Sequence, residues 1–243
     1  MNHRNVRIDD GVLRIEQRIR LRGHEVGTDV AGPACIYAHV QVTRGTVAYL
    51  HGNTRVSVPR CFELFLPRFA VVQASLDRCE ATTVALAFRP VDGLPHEPVL
   101  LAASNDFLVR HPDDVVPRVR AAEHVTHVGR APGPARLAAG AKAMIDAGYA
   151  TSLAIGRVAV QLQVSPAGLS RAFRKAYGMP PVRYRHHVRI MDALIRLAEG
   201  AAPVNVFQDV GFDDLSRFYK IFRKVACAAP GSYRPVRSRN AKT

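Results

Sequence analysis

The chain has 243 residues, 48% of them hydrophobic, enough for one large core or two of ordinary size, and this excludes a disordered chain. Its formal net charge of +14 is uneven, because residues 131–243 hold 18 Lys/Arg against 6 Asp/Glu while residues 1–130 hold 16 against 14. The second half is therefore suited to a polyanion, and no run approaches the ~18 apolar residues of a membrane span.

From Val12 to about residue 90, short runs rich in β-branched and aromatic residues alternate with turn residues. The predicted strands are Val12–Leu21, Ile36–Thr43, Thr46–Leu50, Thr54–Val58, Cys61–Leu66, Phe69–Ser75 and Thr82–Phe88. Many short strands at this spacing predict a small β-barrel or jelly roll. Beyond Pro90, Pro98–Arg110 and Val115–His124 show weak helical spacing. Arg130-Ala131-Pro132-Gly133-Pro134 reads as a linker, so the domains are expected at 1–130 and 131–243.

The remainder is helical in pattern: about Ala135–Ala147, then about Leu153–Leu162, then a helix capped by Ser165 with Pro166 in its first position and Gly178 at its end. A long helix follows from about Pro181 to Glu199, and a shorter pair at about Val204–Val210 and Asp214–Cys227 is broken by Gly211-Phe212-Asp213. Phe173, Arg174, Lys175, Pro181, Tyr184 and Arg185 recur 49 positions later as Phe222, Arg223, Lys224, Pro230, Tyr233 and Arg234. The repeat predicts two helix-turn-helix units, about 153–178 and 204–227, joined by the helix at about 181–199.

Between Pro134 and Arg234 the chain resembles the AraC/XylS family of transcriptional regulators, through Ser165-Pro166, Leu169-Ser170-Arg171, Phe173-Arg174-Lys175, Gly178, Pro181, Tyr184, Arg189, Ala193, Gly211-Phe212, Ser216, Phe218, Phe222-Arg223, Pro230 and Tyr233-Arg234. The resemblance implies an α+β chain with an all-α double helix-turn-helix domain behind a cupin-like effector-binding or dimerisation domain. It departs at Pro203 and Phe207, where an apolar anchor and a small residue are usual, at Gln163 in place of the first turn's glycine, and at Cys227 and Ala229. Phe207 is expected to force its helix pair apart.

A linking helix of about twenty residues is about 30 Å long, close to the ~34 Å between major-groove faces on one side of a duplex. The expected DNA-facing residues are Ala167, Ser170, Arg171 and Arg174 on the first recognition helix, and Ser216, Arg217, Lys220, Arg223 and Lys224 on the second. Arg171 is the candidate for a bidentate contact to guanine, while Arg174, Lys175, Arg223 and Lys224 favour phosphate or solvent. Phe173, Phe222, Tyr184 and Tyr233 are expected in the core, and Arg189 is expected to pair with a carboxylate such as Asp192 or Asp213.

The N-terminal half has His24, His39, His51 and Glu63 but no His-x-His pair, so no metal or cofactor is expected there. Cys35, Cys61, Cys79 and Cys227 are scattered without a Cys-x-x-Cys pair and are expected to be reduced, packed thiols; Ser57, Ser75 and Cys61 show no elbow, triad order or neighbouring base. The start of the chain lacks a signal-peptide pattern, so a cytoplasmic protein is expected, and not an enzyme. Control by a small molecule in a pocket inside the barrel, with interior arginines meeting an anion, stands beside control by a partner protein or by none, with homodimerisation and RNA polymerase contact as further expectations. The rival from another class is a barrel enzyme fused to a DNA-targeting module.

Overall fold

The computed structural model describes residues 3–9, 12–51, 54–103, 109, 111–120, 125–127 and 136–233. The predicted linker at 130–134 lies outside them. Strands β1 (His3–Asp9), β2 (Val12–Arg20), β3 (His24–Val30), β4 (Cys35–His51), β5 (Thr54–Ser57), β6 (Cys61–Leu66), β7 (Val71–Phe88), β8 (Val99–Ala102) and β9 (Val125–His127) form one antiparallel sheet in the order β1-β2-β7-β4-β6-β8-β9, with β3 paired to β7 and β5 to β4.

Two long strands fold this sheet into a jelly-roll-like body. The β4–β7 register shifts between Val42, Arg44 and Thr46, so the two strands bend together and each contributes to two layers. One layer carries β2 and β6 beside them, and the other carries β3 and β5. The predicted pairs of short strands at 36–50 and 69–88 are thus single bent strands, because the turn-like Thr43-Arg44-Gly45 and Asp77-Arg78 mark a bulge and not a chain reversal.

Side chains alternate between two cores, as the two-residue period of a strand requires. Leu13, Ala38, Val40, Phe62, Leu64, Ala85 and Ala87 face one, while Val12, Tyr37, Phe65, Leu86, Phe88, Val99 and Leu101 face the other. Burial on both faces explains the nearly unbroken apolar run of β6. The second core is closed by helix α1 (Pro112–Arg120), which inserts Val115 and Val119. The helical reading of Pro98–Arg110 is corrected at its start: Val99–Ala102 is β8, paired to β6, and a four-residue apolar run is too short for period to separate strand from helix.

The C-terminal helices are α2 (Arg136–Gly148), α3 (Ile155–Gln161), α4 (Pro166–Tyr177), α5 (Pro181–Ala198), α6 (Pro203–Asp209) and α7 (Leu215–Ala226), followed by a short 3-10 turn at Pro230–Tyr233. Helix α5 is the axis: Tyr184, Val188, Ile190, Met191, Ala193, Leu194, Ile195 and Leu197 are all buried. Its flanks gather α2, α3 and α4 on one side and α6 and α7 on the other, and its remaining face lies on the sheet.

That contact with the sheet is close. Gly32, at φ +61°, leaves no room for a Cβ beside Met191, and Gly178, at φ +72°, sits against Thr28 and Gln73. Arg89, just past β7, donates to both carboxylate oxygens of Glu199 at 2.8 and 3.0 Å and lies 3.5 Å from Asp192. Asp192 is fully buried and also accepts from the Tyr149 hydroxyl at 3.0 Å and from Arg196 at 3.1 Å. A continuous apolar core and a polar seam therefore run between sheet and helices.

Candidate nucleic-acid interface

Both helix pairs are built on one plan, with a one-residue difference in the turn. Helices α3 and α6 are related by 48 positions, whereas α4 and α7 are related by 49. Gln163 (φ +56°) and Gly211 (φ +88°) occupy the same left-handed position, and after them the second copy carries one additional residue before its N-cap. In the first turn Val164 N–H donates to Ala159 O at 3.0 Å, and in the second Phe212 N–H donates to Phe207 O at 2.8 Å.

The two units also differ in the side chain at the position of Ala159, which is Phe207 in the second. Ala159 is fully buried in the first unit, while Phe207 is half-buried with its ring 6.4 Å from that of Phe218. Val206 and Val210 remain fully buried, so the second unit keeps a dry interior.

The recognition helices are started by side-chain caps. Ser165 Oγ accepts from Gly168 N–H at 3.1 Å with Pro166 at the first helical position, and Asp214 Oδ1 accepts from Arg217 N–H at 2.5 Å. Helix α4 ends at Gly178 and α7 at Cys227, both left-handed. The inner stripes are Leu169 and Phe173 on α4 and Phe218, Phe222 and Ala226 on α7, all essentially inaccessible, as are Tyr184 and Tyr233. Tyr184 donates to Asp146 at 2.5 Å and Tyr233 to Ala226 O at 2.7 Å, which fixes both rings as packing residues.

The opposite faces carry the expected contact residues. Ala167, Arg171, Arg174, Ser216, Arg217, Lys220, Arg223 and Lys224 are exposed, and Ser170 is half-buried. Helices α4 and α7 each pack on α5, whose 18 residues span about 27 Å.

Spacing alone did not reveal the cationic floor between the units. Arg185 donates to Leu153 O, and Arg189 donates to Tyr149 O at 2.6 Å and Thr151 O at 2.9 Å while lying 5.2 Å over the Phe212 ring. The expected Arg189 ion pair is therefore replaced: its partners are backbone carbonyls of the α2–α3 turn, and Asp192 is held by Arg89, Arg196 and Tyr149. Burial, together with Arg185 and Arg217, holds the Arg189 guanidinium down to about 10 despite the attraction of Asp213. Arg183 and Arg157 stand exposed nearby in the chain, and the repeat did not single them out.

The same field acts on two histidines of α5. Burial, then Arg217, Arg185, Arg189 and His187, push His186 down to about 4; burial, then Arg183 and Lys224, push His187 down to about 4. Their folded values lie below the ordinary ~6.5 of an unfolded histidine, so the stability tied to the neutral rings is complete above that value and is lost as pH falls toward 4. Urea midpoints are expected to drop between pH 7 and pH 4.5, and His187→Gln is expected to flatten that drop; an unchanged slope in the variant would show that the field does not act there.

At the bend of the sheet a cleft of about 270 Å³ is lined by Val42, Val47, Val58, Arg55, Ser57 and Arg60, among others. Arg55 and Arg60 are exposed, so the expectation of interior arginines is corrected: among the described residues the interior holds Tyr49, Phe62, Leu64 and Leu66, packed in the core shared with the C-terminal helices. Among the described residues no helix is long and apolar enough to cross a membrane, and no group of three or more His, Cys, Asp or Glu has the arrangement of a metal site.

Residues 158–235 match a family model described as a helix-turn-helix domain. Over 81 residues the chain is 35% identical to the arabinose operon regulatory proteins of Salmonella typhimurium and Escherichia coli, an alignment covering 33% of this chain and 29% and 28% of theirs. The chain thus spans less than a third of the length of these curated relatives. Among solved structures it is similar to the C-terminal domain of AraT, a response regulator from Geobacillus stearothermophilus, at 25% identity and TM-score 0.41, covering 45% of this chain and 93% of that one. The fold and the repeated cap-and-turn geometry define a double helix-turn-helix protein. Its C-terminal part matches the helix-turn-helix model over residues 158–235 and is similar there to the arabinose operon regulatory proteins.

Proposed function

We propose that the protein is a sequence-specific DNA-binding transcriptional regulator whose N-terminal sheet domain, within residues 1–130, controls the domain formed by residues 131–243. The observation that carries this reading is the pair of N-capped helices, α4 and α7, with buried inner stripes, exposed cationic outer faces and a common support on α5. Such helices enter successive major-groove segments of one duplex face. In this reading Arg171, Arg217 and Lys220 read bases from the early part of each helix, and Arg174, Arg223 and Lys224 contact phosphate.

Control from the sheet is supported by the shared core and by the seam of Arg89, Asp192 and Glu199, since any movement of α5 must alter both. A small-molecule effector, contact with RNA polymerase and a homodimer belong to the same reading. The test is selection of bound duplexes from a random pool, repeated with Arg171→Ala. Discrimination is expected to fall by about 1–3 kcal/mol at one or two adjacent base pairs while the rest of the site stays intact; equal weakening at every position would remove Arg171 from base reading. Selection of no sequence by the unsubstituted chain would remove the function itself.

A further inference from the structure

Away from the helix-turn-helix units, the buried face of the sheet beneath α1 holds a line of polar side chains that the DNA-binding reading leaves unused. Glu63 and His39 are cross-strand partners on β6 and β4, so their side chains leave the same face of the sheet, with Cys61 two residues from Glu63 on that face too. Glu63 is 2% exposed and His39 is 5% exposed. The Tyr37 hydroxyl donates to Glu63 Oε2 at 2.6 Å, and Arg118 Nε of α1 donates to the same oxygen at 2.9 Å. Oε1 faces His39 Nδ1 at 3.8 Å, and the other ring nitrogen, Nε2, lies 3.5 Å from Cys61 Sγ.

The order is carboxylate, imidazole, thiol, running outward from the core. At 3.8 Å the first contact is too long for a hydrogen bond, but the carboxylate's field favours the ring proton on Nδ1, which leaves Nε2 as an acceptor toward the thiol. Cys61 is the member that reaches the surface, because the β6–β8 ladder ends at Phe62 opposite Ala102, one residue short of it. A nucleophile touching a base, with the base faced by a third oriented group, is the arrangement that activates a weak nucleophile. The expectation that Cys61 has no neighbouring base is thereby corrected: its base comes from a neighbouring strand, 22 residues away in sequence.

We infer that Cys61, with His39 as its base and Glu63 as the carboxylate whose field sets the tautomer of that base, is a covalent capture site for a soft electrophile of the α,β-unsaturated carbonyl class. The sulfur bonds to the β-carbon as the C=C π pair shifts to the α-carbon. The thiol proton passes to His39 Nε2 and from there to the α-carbon. Thiol and unsaturated carbonyl give a saturated thioether, with nothing oxidised or reduced.

Burial and the Glu63 carboxylate push the Cys61 thiol up, so it is held protonated near neutrality and needs a base in contact at the moment of attack. The titratable and charged groups around His39 among the described residues are Cys61 and Glu63 of β6, with Tyr37 of β4 and Arg118 of α1 reached through Glu63.

Cys227, exposed at the end of α7, supplies an internal control in the same chain. The experiment treats the full chain with N-ethylmaleimide and follows the Cys61 and Cys227 adducts by peptide mass spectrometry from pH 7 to pH 8. An ordinary thiol gains about tenfold in rate over that unit because the thiolate is the reacting form, whereas a thiol served by a neutral imidazole gains less than about threefold. The shallow profile is expected at Cys61 and the steep one at Cys227. His39→Gln is expected to slow Cys61 on the order of 10²-fold at pH 7 and restore the steep profile, with Cys227 unaffected. A steep profile at Cys61 in the unsubstituted chain overturns the inference even if the variant does not fold, as does an unchanged rate in a folded variant.

Discussion

Gly211→Ala is expected to destabilise the helical half by about 3 kcal/mol or more, whereas Gln163→Gly, at the corresponding turn position, is expected to stabilise it by about 1 kcal/mol. The signs differ although both residues are left-handed, at φ +88° and +56°. A Cβ on Gly211 would overlap the backbone carbonyl of Ala150 in the α2–α3 turn, the same turn whose Tyr149 and Thr151 carbonyls hold Arg189. Backbone cannot yield as a side-chain end does, so the substitution must displace one helix-turn-helix unit from the other. Gln163 is exposed and carries only the strain of its own conformation, which glycine relieves. Urea midpoints of the two variants decide the matter; two shifts of the same sign would mean that the turns are not equivalent.

The largest effect expected on function is that of salt. Arg157, Arg174, Lys175, Arg183, Lys220, Arg223 and Lys224 are exposed on the helical half. Neutralisation of six or more phosphates by such groups makes DNA affinity fall by about 10³–10⁵ between 50 and 200 mM salt. Lys224→Gln is expected to reduce the log–log slope by about one and to weaken all sequences alike, in contrast to the local effect of Arg171→Ala. Titrations at several salt concentrations measure both quantities, and a slope corresponding to only two or three ions would leave these helices without a duplex to neutralise.

Much of the helical half is legible in the chain because its determinants are local. Ser165 and Asp214 cap helices three residues away, Pro166 and Pro181 begin them, Gly178 ends one, and the stripes of Leu169 and Phe173 and of Phe218 and Phe222 follow the helical period. The repeat of 49 is also present in the amino acids, but the 48-residue relation of α3 to α6 emerges only once the ends of the helices are known.

The N-terminal half is less legible because its determinants are remote. Cys61–Leu66 reads as a strand from its composition, yet nothing in the run indicates that Glu63 will meet Tyr37, His39 and Arg118. Those contacts depend on the β4–β6 register and on where α1 lies, and a shift of one residue would send every side chain to the other face.

What the amino acids determined by themselves is the kind of protein: two capped, cationic helix-turn-helix units on a common helix, behind a β-rich region. Caps, breakers and apolar periods act over three or four residues and need no distant partner. The tertiary structure alone decided the seating of α5 against the sheet, the Arg89 clasp on Asp192 and Glu199 more than a hundred residues away, the backbone partners of Arg189, and the file of Glu63, His39 and Cys61. Each of these joins groups far apart along the chain, and only packing of the whole molecule selects which of the many available partners meet.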